Sequence, residues 1–163
     1  MNLTGKRRPQ QAGRVIGLDP SGTYEHSAPV TWVVDTGAEV TLVRDRVGSQ
    51  FGYKPVKGVC GKSTTGDSFY LVTGLQAEFS VESHDGQDGS VSTVRSGRRI
   101  GIKRNDAGSD LLGMSQVSDV CATVHWNPRT GSGSMRVWAG GPTAAAAVFS
   151  IVRSAFGRLT RRG

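Results

Sequence analysis

Apolar residues in the middle of this chain recur with a period of two, and that rhythm limits the fold more than any other feature. Val30, Trp32 and Val34 alternate with Pro29, Thr31 and Val33, and the run closes at Asp35-Thr36-Gly37. A stretch of β-branched and aromatic residues ended by Asp and Gly predicts a strand running into a turn. Residues 40–43 predict the next strand. Residues 53–60 and 69–81, rich in Val, Tyr, Phe and Leu, predict the arms of a long hairpin around the small polar residues 61–68. Residues 83–90 hold two Asp-Gly pairs and predict an exposed connection. Strand character resumes over 91–103, diluted by Ser96-Gly97-Arg98-Arg99. Leu111-Leu112-Gly113 is a short apolar run, residues 114–120 allow one or two helical turns, and 121–126 return to strand pattern. Residues 127–134 turn and 135–138 close the body. No strand-helix unit repeats, which disfavours a parallel α/β fold. The expectation is an all-β domain with one short helix.

Composition agrees with many strands and turns. Glycine supplies 23 of 163 residues, about twice its usual share. The length predicts one domain with tails, and a 36% hydrophobic fraction is low but permits a core. The formal net charge of +7 lies outside that domain. Residues 1–14 hold Lys6, Arg7, Arg8 and Arg14, and residues 143–163 hold Arg153, Arg158, Arg161 and Arg162, with no acid in either stretch. Of 20 basic and 13 acidic residues in all, residues 15–142 therefore keep 12 basic against 13 acidic. A nucleic-acid or membrane-surface reading rests on the two tails, not on a basic face of the fold. In the C-terminal tail, Val148, Ile151, Val152, Ala155, Phe156 and Leu159 share one helical face, with Arg153, Arg158 and Arg161 mostly opposite. Packing on the body or on a second subunit is the favoured role for this segment, because Gly157 weakens the helix by about 1 kcal/mol.

Several classes are excluded. The longest apolar run, residues 144–152, is far short of the ~20 residues that span a membrane. The basic N-terminal residues have no apolar segment behind them, so no secretory signal is read and a cytoplasmic location is the default. Cys60 and Cys121 cannot form a disulfide scaffold or a Cys-x-x-Cys zinc site, and His26, His84 and His125 are scattered. No metal and no cofactor are expected. Gly131-Ser132-Gly133 lacks the Lys-Ser/Thr pair and the following helix of a phosphate loop.

The segment Val33-Val34-Asp35-Thr36-Gly37-Ala38-Glu39-Val40-Thr41-Leu42-Val43 carries the chemistry. Asp-Thr-Gly alone is often an ordinary turn. Here the carboxylate leaves an apolar strand, where an acid must be hydrogen bonded or carry a shifted pKa. This segment resembles the active-site loop of the retropepsin-like aspartic proteases, in which a hydrophobic strand runs into Asp-Thr/Ser-Gly-Ala and then a second strand. Leu111-Leu112-Gly113-Met114, followed by a short helix, resembles the hydrophobic-hydrophobic-Gly element that packs behind that loop. The resemblance spans about residues 28–126. It implies a closed β-barrel or sandwich protomer that works as a symmetric homodimer.

The reaction of such enzymes needs two carboxylates sharing a proton. None of Asp19, Asp67, Asp85, Asp88 and Asp106 repeats the apolar-Asp-Thr-Gly pattern, and the body is too short for two lobes. The resemblance therefore implies an aspartic endopeptidase in which Asp35 of each subunit meets its copy at a two-fold axis. By position, Thr36 would brace the paired loops, Gly37 would meet substrate main chain and Ala38 would keep the cleft floor small. The hairpin tip Thr65-Gly66-Asp67 would be the flap over an extended peptide, and Leu111, Leu112 and Gly113 would support the loop from behind. One departure stands out: Met114 replaces the Arg of retroviral members, which leaves Glu39 without that partner and favours the bacterial and cellular type. Two other readings stay open: an inactive relative that keeps the fold for dimerisation or peptide binding, and a small β-domain acting through its basic tails on membrane or nucleic acid.

Overall fold

The computed structural model describes residues 2–5, 7–55, 57–58, 60–83 and 90–137. Within them the chain is mostly β. The strands are β1 (Leu3–Thr4), β2 (Gln10–Leu18), β3 (Glu25–Val34), β4 (Thr41–Val43), β5 (Gly61–Lys62), β6 (Ser68–Val72), β7 (Gln76–Ser83), β8 (Val91–Ser96), β9 (Ile100–Lys103), β10 (Asp110–Leu112), β11 (Thr123–Asn127) and β12 (Ser132–Val137). Two helices interrupt them: α1 (Asp45–Ser49) and α2 (Met114–Asp119).

All strands join one sheet in the order β5-β6-β9-β4-β10-β3-β2-β1-β12-β7-β8, with β11 on the other side of β12. A further pairing of β2 with β7 closes β2, β1, β12 and β7 into a ring. That β2–β7 ladder ends at Arg14 opposite Glu78. Just beyond it the Gln11 carboxamide donates to Ser80 O (3.1 Å) and accepts Ser80 N–H (2.6 Å), so a side chain continues the strand pairing.

The alternation read in the sequence appears on β3, where Ala28, Val30 and Trp32 are buried and Pro29 and Thr31 are exposed. Val34 keeps to that pattern, and only Val33, on the opposite face, departs from it by being buried as well. Trp32 anchors the core. Its ring is fully buried and its indole N–H donates to Glu78 O at 2.9 Å, satisfying the one polar atom that burial would otherwise orphan. Phe79, Ile100, Ile102, Leu112 and Met135 fill the interior around it.

The β2–β3 turn is stitched by one carboxylate. Asp19 accepts the Ser21 hydroxyl (2.6 Å) and the N–H groups of Thr23 (2.9 Å) and Tyr24 (3.0 Å). Those bonds, that from Ser21 foremost, hold its pKa down to about 2.

Several expectations are corrected by the structure. The described residues hold two short helices, not one. The addition, α1, is only five residues, too short to show a period; it buries Val47 and Gly48, the glycine against Ile102. Residues 53–55, 57, 58 and 60 are not strand, so the first hairpin arm shrinks to β5. The second arm breaks at residues 73–75, where Gly74 adopts φ +88°, because β6 goes to β9 while β7 goes to β8 and β2. The turn over 127–134 tightens to 128–131, with the Asn127 side-chain oxygen accepting Arg129 N–H (2.9 Å). The pairing path ends openly at β5 and β8 among the described residues.

Residues of the basic stretch 1–14 enter the sheet as β1 and the start of β2, with Arg7, Arg8 and Arg14 exposed. The tail 143–163, His84 and most of the 83–90 connection lie outside the described residues. Among the described residues no helix is long and apolar enough to cross a membrane.

Candidate active site

β10 is inserted between the two arms that carry Asp35. It runs parallel to β3, with Leu111 opposite Val33 and Leu112 opposite Val34, and antiparallel to β4, with Leu111 opposite Leu42. The loop from Asp35 to Val40 must therefore cross over the end of β10. Short backbone bonds fasten that crossing. Asp35 N–H donates to Leu112 O (3.1 Å), Met114 N–H to Ala38 O (2.8 Å) and Ser115 N–H to Glu39 O (2.9 Å).

Gly113 sits where the crossing is tightest. A Cβ there would lie 2.5 Å from the carbonyl carbon of Val40 and 2.7 Å from both Glu39 O and Thr41 N. These are backbone atoms that cannot rotate away, so the third residue of Leu-Leu-Gly has to lack a side chain. The apolar pair before it is placed by burial: Leu112 is wholly inside and Leu111 half-buried.

On the open side of the loop, Asp35 is half-buried and Thr36 and Gly37 are exposed. Asp35 Oδ1 accepts Gly37 N–H at 3.0 Å, and Asp35 O accepts Ala38 N–H at 3.1 Å. The turn thus fixes its own carboxylate, leaving Oδ2 toward the surface without a hydrogen bond among the described residues. Thr36 Oγ1 likewise has none. A Cβ at Gly37 would meet only Asp35 Oδ1, at 3.4 Å, in contrast to the closed back wall at Gly113.

A buried polar network lies behind the loop and has no counterpart in the sequence reading. The Thr41 hydroxyl accepts Gly113 N–H (2.9 Å) and donates to Gln116 Oε1, and the Gln116 amide donates to Arg98 O (3.1 Å) and Arg99 O (3.3 Å). Both side chains are fully buried. The network ties the loop and α2 to the β8–β9 connection. Arg44 and Asp110 form a second unexpected pair at the far ends of β4 and β10. Its signal was Asp110 directly before Leu111-Leu112, a carboxylate bordering an apolar strand as at Asp35. Glu39 is exposed.

The hairpin tip is braced within itself. Gly66 takes φ +87°, Ser63 N–H donates to Asp67 O (2.9 Å), and Thr65 Oγ1 donates to Asp67 Oδ2 (3.1 Å). Asp67 also meets Asn105 (3.4 Å) and, at 4.0 Å, the Lys103 ammonium, so its outside contacts go to the β9–β10 connection. Among the described residues no hydrogen bond or ion pair joins this tip to residues 35–38. Two surface grooves of about 670 and 510 Å³ lie elsewhere, lined respectively by residues such as Arg14, Arg44 and Glu78, and by Glu82, Trp126 and Arg136.

Fold and site together define a mostly-β domain that presents one carboxylate on a loop clamped from behind by an apolar-apolar-Gly strand. Among solved structures the chain is similar to a retropepsin-like aspartic protease from Rickettsia conorii, at 15% identity and a TM-score of 0.41, over 72% of this chain and 87% of that one. It is also similar to EIAV protease complexed with the inhibitor HBY-793, at 14% identity and a TM-score of 0.37, over 74% of this chain and 95% of that one. No family model matches the chain, and no curated protein sequence matches it.

Proposed function

We propose that the chain is an aspartic-type endopeptidase of retropepsin-like architecture, active when two copies bring their Asp35 carboxylates together. The observation that carries this reading is the anchoring of Asp35. Its N–H is held by Leu112 O and its Oδ1 by Gly37 N–H, while Oδ2 and the Thr36 hydroxyl have no hydrogen-bond partner among the described residues. A loop built only for structure has no need to be clamped over a side-chain-free crossing and then to leave its acid and hydroxyl unused.

The chemistry follows from pairing. Two carboxylates in contact cannot both stay ionised, so they share one proton and titrate as a pair. The ionised member takes a proton from a bound water, whose oxygen adds to the scissile carbonyl carbon, while the protonated member hydrogen bonds to the carbonyl oxygen. Collapse of the tetrahedral adduct breaks the C–N bond as the leaving nitrogen receives a proton from the dyad. Thr36 would brace each loop against its copy and Gly37 would offer main-chain groups to an extended substrate. The tip Thr65-Gly66-Asp67 is the candidate flap, adding main-chain hydrogen bonds over the bound segment.

Wild-type chain and Asp35→Asn are to be compared on a denatured protein or a peptide library between about pH 4 and 7, the range suited to a carboxylate pair. Cleavage by the wild type that disappears in Asp35→Asn is expected. Equal cleavage by both, or none by either, overturns the reading.

A further inference from the structure

The outward-facing residues of β3, β2, β7 and β8 fall into rows across the sheet. In one row Pro29 lies opposite Arg14, Arg14 opposite Glu78 and Glu78 opposite Arg95. In the next row Thr31 lies opposite Ala12, and Ser80 opposite Thr93. The β2–β7 ladder has stopped before this second row, but the Gln11 carboxamide, bonded to both the N–H and the carbonyl of Ser80, carries the pairing on and brings the two halves of the row into line. The first row is long and charged, the second short. Together they form a trough across four strands, about 14 Å from β3 to β8 at ordinary strand spacing. It coincides with the groove of about 670 Å³, which Arg44 also lines, at the β3 end where its partner Asp110 sits opposite Trp32.

The groups along the trough are unevenly committed. Glu78 and Glu25 are both engaged by Arg95, at 2.8 and 3.6 Å, and Arg44 is engaged by Asp110. Arg14 is exposed and has no hydrogen bond or ion pair from its side chain among the described residues, and the hydroxyls of Thr31, Ser80 and Thr93 have no hydrogen bond either. The uncommitted groups are therefore one guanidinium and three hydroxyls. A guanidinium recognises a carboxylate, and hydroxyls meet the carbonyl and N–H groups of an extended main chain. An apolar ligand finds little here, since Ala12 is the one apolar residue of the short row. A nucleic-acid strand fits poorly too, because stacking needs exposed aromatic rings: Phe79 under the trough is buried, and exposed Tyr24 stands on the β2–β3 turn between Asp19 and Glu25.

We propose that this trough docks an extended peptide segment carrying an acidic side chain, with the carboxylate on Arg14 and the main chain over Thr31, Ser80 and Thr93. About four extended residues cover its length. The trough shares no residue with the Asp35 loop, so the proposal stands whether or not that carboxylate is catalytic.

The test uses the full-length Asp35→Asn chain, in which no cleavage by that carboxylate accompanies binding. The fluorescently labelled chain is applied to arrays of hexapeptides with Glu, Gln or Lys fixed at the third position and the other positions varied. The Kd of the best Glu hexapeptide is then measured by anisotropy, and its contacts are mapped by amide chemical shifts. At low salt the Glu array is expected to retain the chain about tenfold better than the Lys array, with Gln between them. Arg14→Glu, a change at an exposed residue, is expected to reverse that preference, and Ala12→Phe, which raises the floor, to weaken binding to every array; circular dichroism confirms that both fold. The shifts are expected on residues 12–14, 31, 80 and 93. Equal retention by the Glu and Lys arrays, a preference unchanged in Arg14→Glu, or shifts confined to other residues overturns the proposal. Inorganic phosphate that displaces the hexapeptide at the hexapeptide's own Kd also overturns it, by reducing the site to an anion contact. A single-stranded oligonucleotide that binds the same residues more tightly than the Glu hexapeptide overturns it in favour of nucleic acid.

Discussion

Arg44 and Asp110 meet at two points between β4 and β10. The guanidinium donates from Nη2 to Oδ2 (2.7 Å) and from Nε to Oδ1 (3.2 Å), and the Arg44 backbone N–H adds a third bond to Oδ1 (2.9 Å). The Asp110 side chain is wholly buried. Removing one partner of such a pair leaves an uncompensated charge, so Arg44→Ala should cost about 3–5 kcal/mol in urea denaturation. The double variant Arg44→Met/Asp110→Asn removes both charges while keeping an acceptor for the Arg44 N–H, and should recover at least half of that loss.

The two glycines of the site should respond to very different extents. Gly113→Ala forces a methyl into the backbone of residues 39–41 and should lower stability by about 3 kcal/mol, with any peptidase activity lost at the same time. Gly37→Ala meets only a carboxylate oxygen at 3.4 Å and should change stability by less than about 1 kcal/mol. Any fall in peptide cleavage for Gly37→Ala then reports on substrate contact and not on folding. Thermal unfolding beside a cleavage assay separates the two.

Thr41→Val keeps the shape of the side chain and deletes the oxygen that accepts Gly113 N–H. It also leaves Gln116 Oε1 without its donor from residue 41. The expected loss is about 2 kcal/mol, together with markedly faster hydrogen exchange at the Gly113 amide. If that amide remains as protected as in the wild type, the Thr41 bond is not what holds the crossing.

Asp19 supplies a pH signature far from the site. Its folded pKa of about 2 lies below the ordinary 3.8. The turn's contribution is therefore complete above the unfolded value and is lost as pH falls through about 2. The amide resonances of Thr23 and Tyr24, both bonded to Asp19 Oδ1, should titrate with a midpoint near 2 and not near 3.8. In Asp19→Asn that low-pH transition should vanish.

Much of this arrangement was readable where the cause is local. The alternation at Val30, Trp32 and Val34, the turn at Asp35-Thr36-Gly37 and the helix after Gly113 follow from periodicity and residue type. The inner polar network did not follow, because Thr41 reads as one more β-branched strand residue and Gln116 as a polar residue on a short helix. Only the insertion of β10 between β3 and β4 brings them together, across 75 positions of sequence. The break at residues 73–75 was hard for the same reason, since the two halves of one strand-like stretch go to different neighbours, whereas the break at 97–99 coincides with the polar Ser96-Gly97-Arg98-Arg99. Tyr53 is strand-like in type, but Lys54 and Pro55 beside it are not, and these three residues are not strand.

Leu3 and Thr4 lie between β2 and β12 of their own chain, with Thr4 opposite both Gln10 and Ser132. Among the described residues, β1 thus finds both of its neighbours within its own protomer. On the dyad reading proposed above, folding and association would be two separate equilibria, unlike in dimers whose subunits are unstructured when apart. The melting temperature of the dilute chain should then hold steady, while the cleavage rate in that regime climbs with the square of protein concentration. The abundance of the chain, and not the integrity of its fold, would set when it cuts.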